Sequence, residues 1–183
     1  SITAAGVLTF ASAPDYETQS TYTATVTASD GVNTDTQDLT ITVTNVNDVA
    51  PVISSAATFS AAENQTAVGT VAASDAEGDS LTYSLSGTDA ASFSINSSGV
   101  IAFASAPDYE TKTSYSVTVT ASDGVNTDTQ FLTITVTNVN DVAPVISSAA
   151  TFSAAENQTA VGTVAASDAE GDSLTYSLSG TDA

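Results

Sequence analysis

The chain repeats itself with a period of 93 residues, and this feature constrains its fold more than any other. Asp48–Ala90 returns letter for letter as Asp141–Ala183, and the motif ASAPDYET begins at Ala11 and again at Ala104. Both pairs lie 93 residues apart, which is the size of one small domain. The sequence therefore predicts a tandem array of one small domain instead of a single large fold.

The array is out of phase with the ends of the chain. Residues 1–47 correspond to 94–140, and residues 141–183 correspond to 48–90. We therefore expect the second half of one repeat at 1–47, a complete repeat at 48–140 and the first half of another at 141–183. Two explanations stay open: the chain is a window from a longer array, or it is a subunit whose halves are completed head to tail by other copies.

Apolar residues alternate with Thr and Ser over two long stretches, as in half-buried strands. The two stretches are SYSVTVTAS from Ser114 and FLTITVT from Phe131. Their inward residues are predicted to be Tyr115, Val117, Val119 and Ala121 on the first, and Leu132, Ile134 and Val136 on the second. Phe131 is predicted to face solvent, because Asp38 stands at its place in the other copy.

Five further stretches raise the count to seven strands per repeat. They are AVGTVAAS, LTYSL, FSI, GVIAF and the extended residues 52–63. Turn residues separate them, as in AEGD, SGTD, NSSG, APD and SDGVN. The sequence predicts an all-β fold of tandem seven-stranded Greek-key sandwiches of immunoglobulin-like type.

The charge of the chain excludes several partners. The net charge is −20, with a single basic residue, Lys112, and no His. No basic surface exists for nucleic acid or for an anionic membrane, so we expect neither partner. No apolar run approaches the length of a membrane span, and we expect no membrane insertion.

The recurring acids that belong to motifs are predicted to fall on loops and not on strands. They occur in AAEN, SDAEGD, DYE, TASDG and NVNDVAP. Oxygen ligands without His or Cys suit Ca²⁺, which takes six to eight of them. An EF-hand is excluded, because Gly78 is misplaced for that loop and Ser86 stands where a bidentate Glu is needed.

The motifs AAEN, DYE, VNDVAP, SDAEGD and TASDG, within a repeat of this length, resemble the extracellular repeats of cadherins. The resemblance is to the cadherin-like arrays of large bacterial surface proteins in particular, and it covers the whole chain. It implies a cadherin-type sandwich, an extracellular or cell-surface location, and calcium ions held at each junction between repeats by the two repeats and their linker.

The resemblance also implies two ligand sets. The set at the first junction is Asp15, Glu17, Asn47, Asp48, Asp75, Glu77 and Asp123. The set at the second junction is Glu63, Asp108, Glu110, Asn140, Asp141, Asp168 and Glu170. Each set lacks one expected acid, which another copy of the chain is predicted to supply as Glu156 and Asp30.

Three departures from the family pattern reduce the expected number of ions to two or three per junction. The first linker acid is Asn45 or Asn138, the residue after the linker Asp is Val49 or Val142, and the second Asp of the aspartate pair is Glu77 or Glu170. The competing interpretation of each single acid is a solvated surface carboxylate, and we adopt it for Asp35, Asp38, Asp89 and Asp128.

These observations predict a structural, adhesive extracellular rod or filament that calcium makes rigid. Its expected partners are other copies of itself, head to tail, and a cell-surface or polysaccharide ligand. The alternative is a calcium-dependent carbohydrate-binding module, against which stands the absence of Trp. We expect no enzyme, because without His or Cys only carboxylate pairs remain for acid–base catalysis, and these are better explained as ligands.

Overall fold

The computed structural model describes residues 1–180 of the chain. We call residues 1–47 the N-terminal segment, 48–140 the middle segment and 141–183 the C-terminal segment. The middle segment contains nine strands and one short 3₁₀ helix, Ala90–Ser92. The strands are β3 (Val52–Ile53), β4 (Thr58–Ala62), β5 (Ala67–Thr70), β6 (Ala73–Ser74), β7 (Thr82–Ser86), β8 (Phe93–Ile95), β9 (Val100–Phe103), β10 (Ser114–Ser122) and β11 (Thr127–Thr137).

Two main sheets form a sandwich in the middle segment. One sheet has the strand order β4-β11-β10-β7, with β4 parallel to β11 and the other neighbours antiparallel. The other sheet has the order β5-β9-β8 and is antiparallel. Neighbours that are distant in sequence, such as β4 and β11, give the crossovers of a Greek-key fold. The predicted all-β, immunoglobulin-like sandwich is confirmed.

The core lies between the two sheets and follows the predicted alternation. The inward residues of β10 and β11 are fully buried or packed against the core, and Phe131 is exposed on the outer face. Ile101, Phe93 and Phe103 close the core from the opposite sheet together with Val71, which directly follows β5, and the two Phe rings lie 4.6 Å apart. Burial of this apolar surface is the main stabilising term of the sandwich.

Two of the seven predicted strand regions are each divided in the structure. The stretch 52–63 forms β3 and then β4, and the stretch 67–74 forms β5 and then β6. The division arises because the chain changes neighbours: β3 pairs with β6 as a separate ladder, while β4 and β5 join the two main sheets. One predicted strand region can therefore contribute strands to two different ladders.

The outer segments contain fewer strands. In the N-terminal segment, β1 (Thr21–Ser29) and β2 (Thr34–Thr42) form one antiparallel hairpin, and an isolated bridge joins Ile2 to Leu8. In the C-terminal segment, β12 (Val145–Ile146) pairs with β13 (Ala166–Ser167). No helix within residues 1–180 is long and apolar enough to cross a membrane.

Candidate metal centres at the two linkers

Acidic side chains meet at the two copies of NVNDVAP, residues 45–51 and 138–144, which span the boundaries between the segments and which we call the linkers. Carboxylate oxygens of Glu63, Glu110, Asp141 and Glu170 all lie within 4.8 Å of one another. We call this group the four-acid cluster. At the other linker, oxygens of Glu17, Asp48 and Glu77 meet the same distance limit, and we call them the three-acid cluster.

Glu63 is the buried member of the four-acid cluster. It follows the last residue of β4, and only 1% of its surface is exposed. Its two oxygens accept hydrogen bonds from the backbone amides of Tyr109, at 2.8 Å, and Val139, at 2.6 Å. Glu63 thereby holds the DYE loop and the start of the linker together, since a buried carboxylate requires donors on both oxygens.

A glutamate from the following segment clamps each linker. Glu170 accepts hydrogen bonds from the backbone amides of Asp141 and Val142, at 2.6 and 3.3 Å. Glu77 accepts from the equivalent amides of Asp48 and Val49, at 3.0 and 3.2 Å. The repeated sequence therefore builds the same clamp twice.

The turn that carries each clamping glutamate is held by its own first aspartate. Asp75 accepts hydrogen bonds from the backbone amides of Glu77 and Asp79, and Asp168 does the same for Glu170 and Asp172. Oxygens of the three acids in each turn lie within 4.8 Å of one another. The DAEGD turn thus gathers three carboxylates before any neighbouring segment contributes.

Several carboxylate oxygens at the linkers are buried without a hydrogen-bond donor in the described structure. They are Asp75 Oδ2, Asp123 Oδ2 and Glu170 Oε2. A buried anionic oxygen without a partner costs free energy unless a cation is close to it. The donor set is carboxylate and carbonyl oxygen throughout, with no His or Cys. These residues therefore fit Ca²⁺ and do not fit a transition metal.

The acids of the DYE loops differ in pKa according to their surroundings. The pKa of Glu110 lies above its ordinary value because the carboxyl is partly removed from water and faces the charges of Glu63 and Glu170. The pKa of Glu17 is raised in the same direction, again by desolvation first. In contrast, the hydroxyls of Thr111 and Thr18 donate to Asp108 and Asp15 and lower the pKa of each.

The remaining predicted ligands lie around the clusters with other partners. Asp15 and Asp108 are bonded within their own turns, two residues before the cluster members Glu17 and Glu110. Asp123 accepts hydrogen bonds from the backbone amides of Val125 and Asn126. Desolvation by itself raises the pKa of Asp123, but these hydrogen bonds outweigh it, and the pKa is lowered.

The two linker asparagines contribute amide groups near the acids. Asn47 accepts a hydrogen bond from the side chain of Asn126, which places it beside the Asp123 loop. Asn140 donates to Asp172. Asn47 and Asn140 are therefore hydrogen-bonded to loops that the sequence analysis assigned to the same junction as each asparagine.

Two further predicted ligands, Asp30 and Glu156, also lie outside both clusters. Asp30 and Glu156 are exposed, and neither belongs to an acid group within residues 1–180. Asp30 accepts hydrogen bonds from Val32 and Asn33 in its own turn, which lowers its pKa. These two acids are the ones that the sequence assigned to other copies of the chain.

The sequence analysis missed three participants. Asp79 and Asp172 are the third acids of the two DAEGD turns, and Asn64 donates its side-chain amide to Asp141. Both aspartates could have been found from the sequence, because the third acid of DAEGD is repeated together with the first two. Asn64 has a positive φ of 61°, which Asn tolerates better than most residues, so its choice at this turn follows from the backbone.

Asp128 was also assigned incorrectly to solvent alone. Its carboxylate accepts a hydrogen bond of 2.8 Å from the backbone amide of Ile53 and thereby fixes β3 against β11. Asp89 likewise accepts from Lys112 and from the Ser116 amide, and the Lys112 bond is the first cause of its lowered pKa. Both acids have a structural role in the middle segment.

Both the sequence and the fold of the chain are similar to those of known proteins. Residues 47–135 match the bacterial Ig domain family. Over 161 residues the chain is 36% identical to the protocadherin-like wing polarity protein stan of Drosophila melanogaster, covering 78% of the chain and 4% of that protein. The structure superposes on protocadherin gammaB7 EC3-6 with a TM-score of 0.73 at 28% identity, over 85% of the chain and 45% of that structure.

The chain consists of cadherin-like extracellular repeats. Mouse cadherin-23 EC22-24 matches with a TM-score of 0.64 and 27% identity, over 85% of the chain and 56% of that structure. Chitinase A of Pseudoalteromonas piscicida is 35% identical over 108 residues, which cover 58% of the chain and 13% of the enzyme. The chain thus spans only 4% of the stan protein and 13% of the chitinase.

Proposed function

We propose that these cadherin-like repeats form an adhesive extracellular rod whose linkers become rigid when they bind Ca²⁺. The observation that carries the proposal is the four-acid cluster, because it joins Glu63 and Glu110 of the middle segment to Asp141 and Glu170 of the C-terminal segment. A cation held there would connect both segments through the linker. In the absence of a cation, each pair of carboxylates at such distances repels by about 1 kcal/mol even in water.

We further propose that residues 48–140 are one complete repeat and that the flanking segments are halves of two others. The support is the single core that β3–β11 enclose, together with the offset of 93 residues between matching sequences. In this division both linkers lie at repeat boundaries, which is where the acids collect.

For the second junction we propose the ligands Glu63, Glu110, Asp141 and Glu170, with Asp108, Asn140, Asp168 and the added Asp172 around them. For the first we propose Glu17, Asp48, Asp75, Glu77 and Asp123, with Asp15, Asn47 and the added Asp79. Two or three ions per junction remain the expected number. As calcium sites between extracellular modules, the two junctions should bind with a Kd on the order of 0.1–1 mM.

We also propose that copies associate head to tail, so that each rod is longer than one chain. The support for association between copies is the cis-dimer in which the similar protocadherin gammaB7 EC3-6 was solved. The carbohydrate-binding alternative rests on the chitinase match, which covers 13% of that enzyme, and we do not propose it.

Isothermal titration calorimetry with CaCl₂ tests the calcium proposal. We expect several ions per chain, and we expect Glu110→Gln to reduce the stoichiometry or weaken binding severalfold at one junction. Asp38→Asn is the matched control, since Asp38 lies on the outer face of β2 and bonds only locally to Thr25. Small-angle X-ray scattering should show a longer, straighter particle with calcium. Absence of binding at several millimolar calcium would overturn the proposal.

A further inference from the structure

One asparagine connects the middle segment to the linker acid of the second junction. The side-chain amide of Asn64 donates a hydrogen bond of 2.5 Å to Oδ2 of Asp141, although the two residues lie 77 positions apart in the sequence. Asp141 belongs to the four-acid cluster, and both residues are exposed. Other bonds must restrain such a contact, because ordering two exposed side chains costs conformational entropy.

Asn64 is restrained by bonds of its own backbone and of the residue before it. The backbone amide of Asn64 donates to the Pro107 carbonyl at 3.0 Å, directly before the DYE loop. The preceding residue, Glu63, is buried and accepts hydrogen bonds from the Tyr109 and Val139 amides. The turn at Asn64 is therefore fixed against the DYE loop and the start of the linker.

The backbone of this turn accepts glycine at least as well as asparagine. The φ of Asn64 is 61°, which lies in the left-handed region where Gly has no steric cost and Asn is tolerated. A glycine would therefore satisfy the turn but could not donate to Asp141. The hydrogen bond to the linker acid is the property that the asparagine adds.

The C-terminal segment holds Asp141 from the other side. Glu170 accepts hydrogen bonds from the backbone amides of Asp141, at 2.6 Å, and Val142, at 3.3 Å. The side chain of Asp141 is thus bonded to the middle segment and its backbone to the C-terminal segment. Because Asn64 bonds to Oδ2, the other carboxylate oxygen of Asp141 keeps its lone pairs for a cation.

We propose that Asn64 is a positioning residue of the second junction: it holds Asp141 in its ligand position before a cation binds and thereby strengthens calcium binding there. This inference rests on the proposed calcium function and adds a residue that is not itself a ligand. The physical basis is preorganisation, because ordering Asp141 in advance removes part of the entropy cost of binding. The same bond restricts the linker in the calcium-free protein.

Calorimetric titration of Asn64→Gly with CaCl₂ tests the effect on affinity. Glycine keeps the positive φ and removes the amide, so the Kd of the second junction should rise roughly three- to tenfold. Asn157→Gly in a monomeric sample is the matched control, because Asn157 has the same sequence neighbours and a φ of 64°, whereas Asp141 bonds to Asn64. An unchanged Kd in Asn64→Gly, or equal effects of both variants, would overturn the inference.

A double-mutant cycle separates positioning of Asp141 from a general structural role of Asn64. Asp141→Ala removes the carboxylate that Asn64 orients and should weaken calcium binding by itself. Adding Asn64→Gly to Asp141→Ala should then leave the Kd unchanged, because the bond between the two residues is already lost. A further weakening as large as that in the parent chain would show that Asn64 acts by another route and would overturn the inference.

Hydrogen exchange in EGTA tests the hold on the linker without calcium. The backbone amides of Asp141 and Val142 should exchange roughly three- to tenfold faster in Asn64→Gly than in the parent chain, because Asp141 loses its side-chain restraint. The amides of β10 and β11 should exchange alike in both proteins, which shows that the core is intact. Equal exchange of the two linker amides in variant and parent would overturn the inference.

The two measurements distinguish this inference from the proposed calcium function. A parent chain that binds no calcium at several millimolar would overturn the calcium function and with it the effect on affinity. Exchange in EGTA would still decide whether Asn64 holds Asp141. Calcium binding by the parent that Asn64→Gly leaves unchanged would overturn this inference alone.

Discussion

In the middle segment, residues 58–86 form β4, β5 and β7, whereas the same letters at residues 151–179 form none of the three equivalents. Only the short pair β12–β13 corresponds to a ladder of the middle segment, namely β3–β6. Identical local sequence therefore gives different secondary structure within one chain. The difference teaches that strand formation in this repeat depends on tertiary partners more than on propensity.

The strand pairs of the middle segment that also form in an outer segment are those whose two strands belong to the same half of the repeat. The 19 residues from 147 to 165 join β12 to β13, and the Ser147 amide adds a bond to the Ala165 carbonyl as Ser54 does to Ala72. The β1–β2 hairpin is likewise local. In contrast, β4 and β7 require β11 and β10, which the C-terminal segment does not contain within residues 141–180. Four comparisons between equivalent positions test this dependence.

The largest contrast is expected between the equivalent leucines Leu132 and Leu39. Leu132→Ala should lower the free energy of unfolding of the middle segment by about 2–5 kcal/mol, because the side chain is fully buried. Leu39→Ala should cost less than about 1 kcal/mol in the monomer, since its face is partly open. Urea denaturation of each variant gives the comparison, and similar losses would contradict it.

The equivalent glycines Gly99 and Gly6 should differ next. Both have positive φ, 74° and 77°, but a Cβ at Gly99 would lie 2.2 Å from the Val71 carbonyl oxygen while one at Gly6 would meet nothing within 4 Å. Gly99→Ala should cost about 2–4 kcal/mol from steric overlap and backbone strain together. Gly6→Ala should leave the melting temperature of the middle segment unchanged. A Gly99 variant that melts with the parent chain would contradict the close approach.

Glu63 and Glu156 should differ by a smaller amount. Glu63→Ala leaves the backbone amides of Tyr109 and Val139 without their acceptor and should cost about 1–3 kcal/mol in calcium-free buffer. Glu156→Ala should have no measurable effect on the stability of a monomeric sample, because its side chain is exposed. Thermal unfolding at low protein concentration provides the measurement, and a destabilising Glu156→Ala under those conditions would show that the acid already has a structural partner.

The smallest effect is expected at Lys112, whose equivalent is Gln19. Lys112→Gln removes the bond to Asp89 and should cost less than about 1 kcal/mol at pH 7, because the lysine is 42% exposed. Since Lys112 lowers the pKa of Asp89, the stabilisation is present above the unfolded value of 3.8 and is lost as pH falls through the lower folded value. The parent and variant should therefore unfold alike near pH 2, and a constant difference across pH would contradict the ion pair.

The candidate sites divide in the same way between local sequence and tertiary contact. The DAEGD turns form in both copies with the same hydrogen bonds, because Asp75 and Asp168 bond to amides within four residues. Glu63, however, acquires its role only because β4 ends between the DYE loop and the linker. Neither the burial of Glu63 nor its approach to Glu170 follows from the spacing of acids in the sequence. The resemblance to cadherin repeats was needed to place the two glutamates in one ligand set.

The sequence by itself determined the repeat length, the all-β class, the inward faces of β10 and β11, and the acids that collect at the linkers. These follow from alternation, turn residues and repetition, which act over a few positions or are visible by inspection. Only the tertiary structure decided that two predicted strand regions divide between ladders, that Asp128 and Asp89 have structural bonds, and that one copy of a sequence forms strands while its duplicate does not. The physical reason is that a strand is stable only when another strand satisfies its backbone and covers its apolar face.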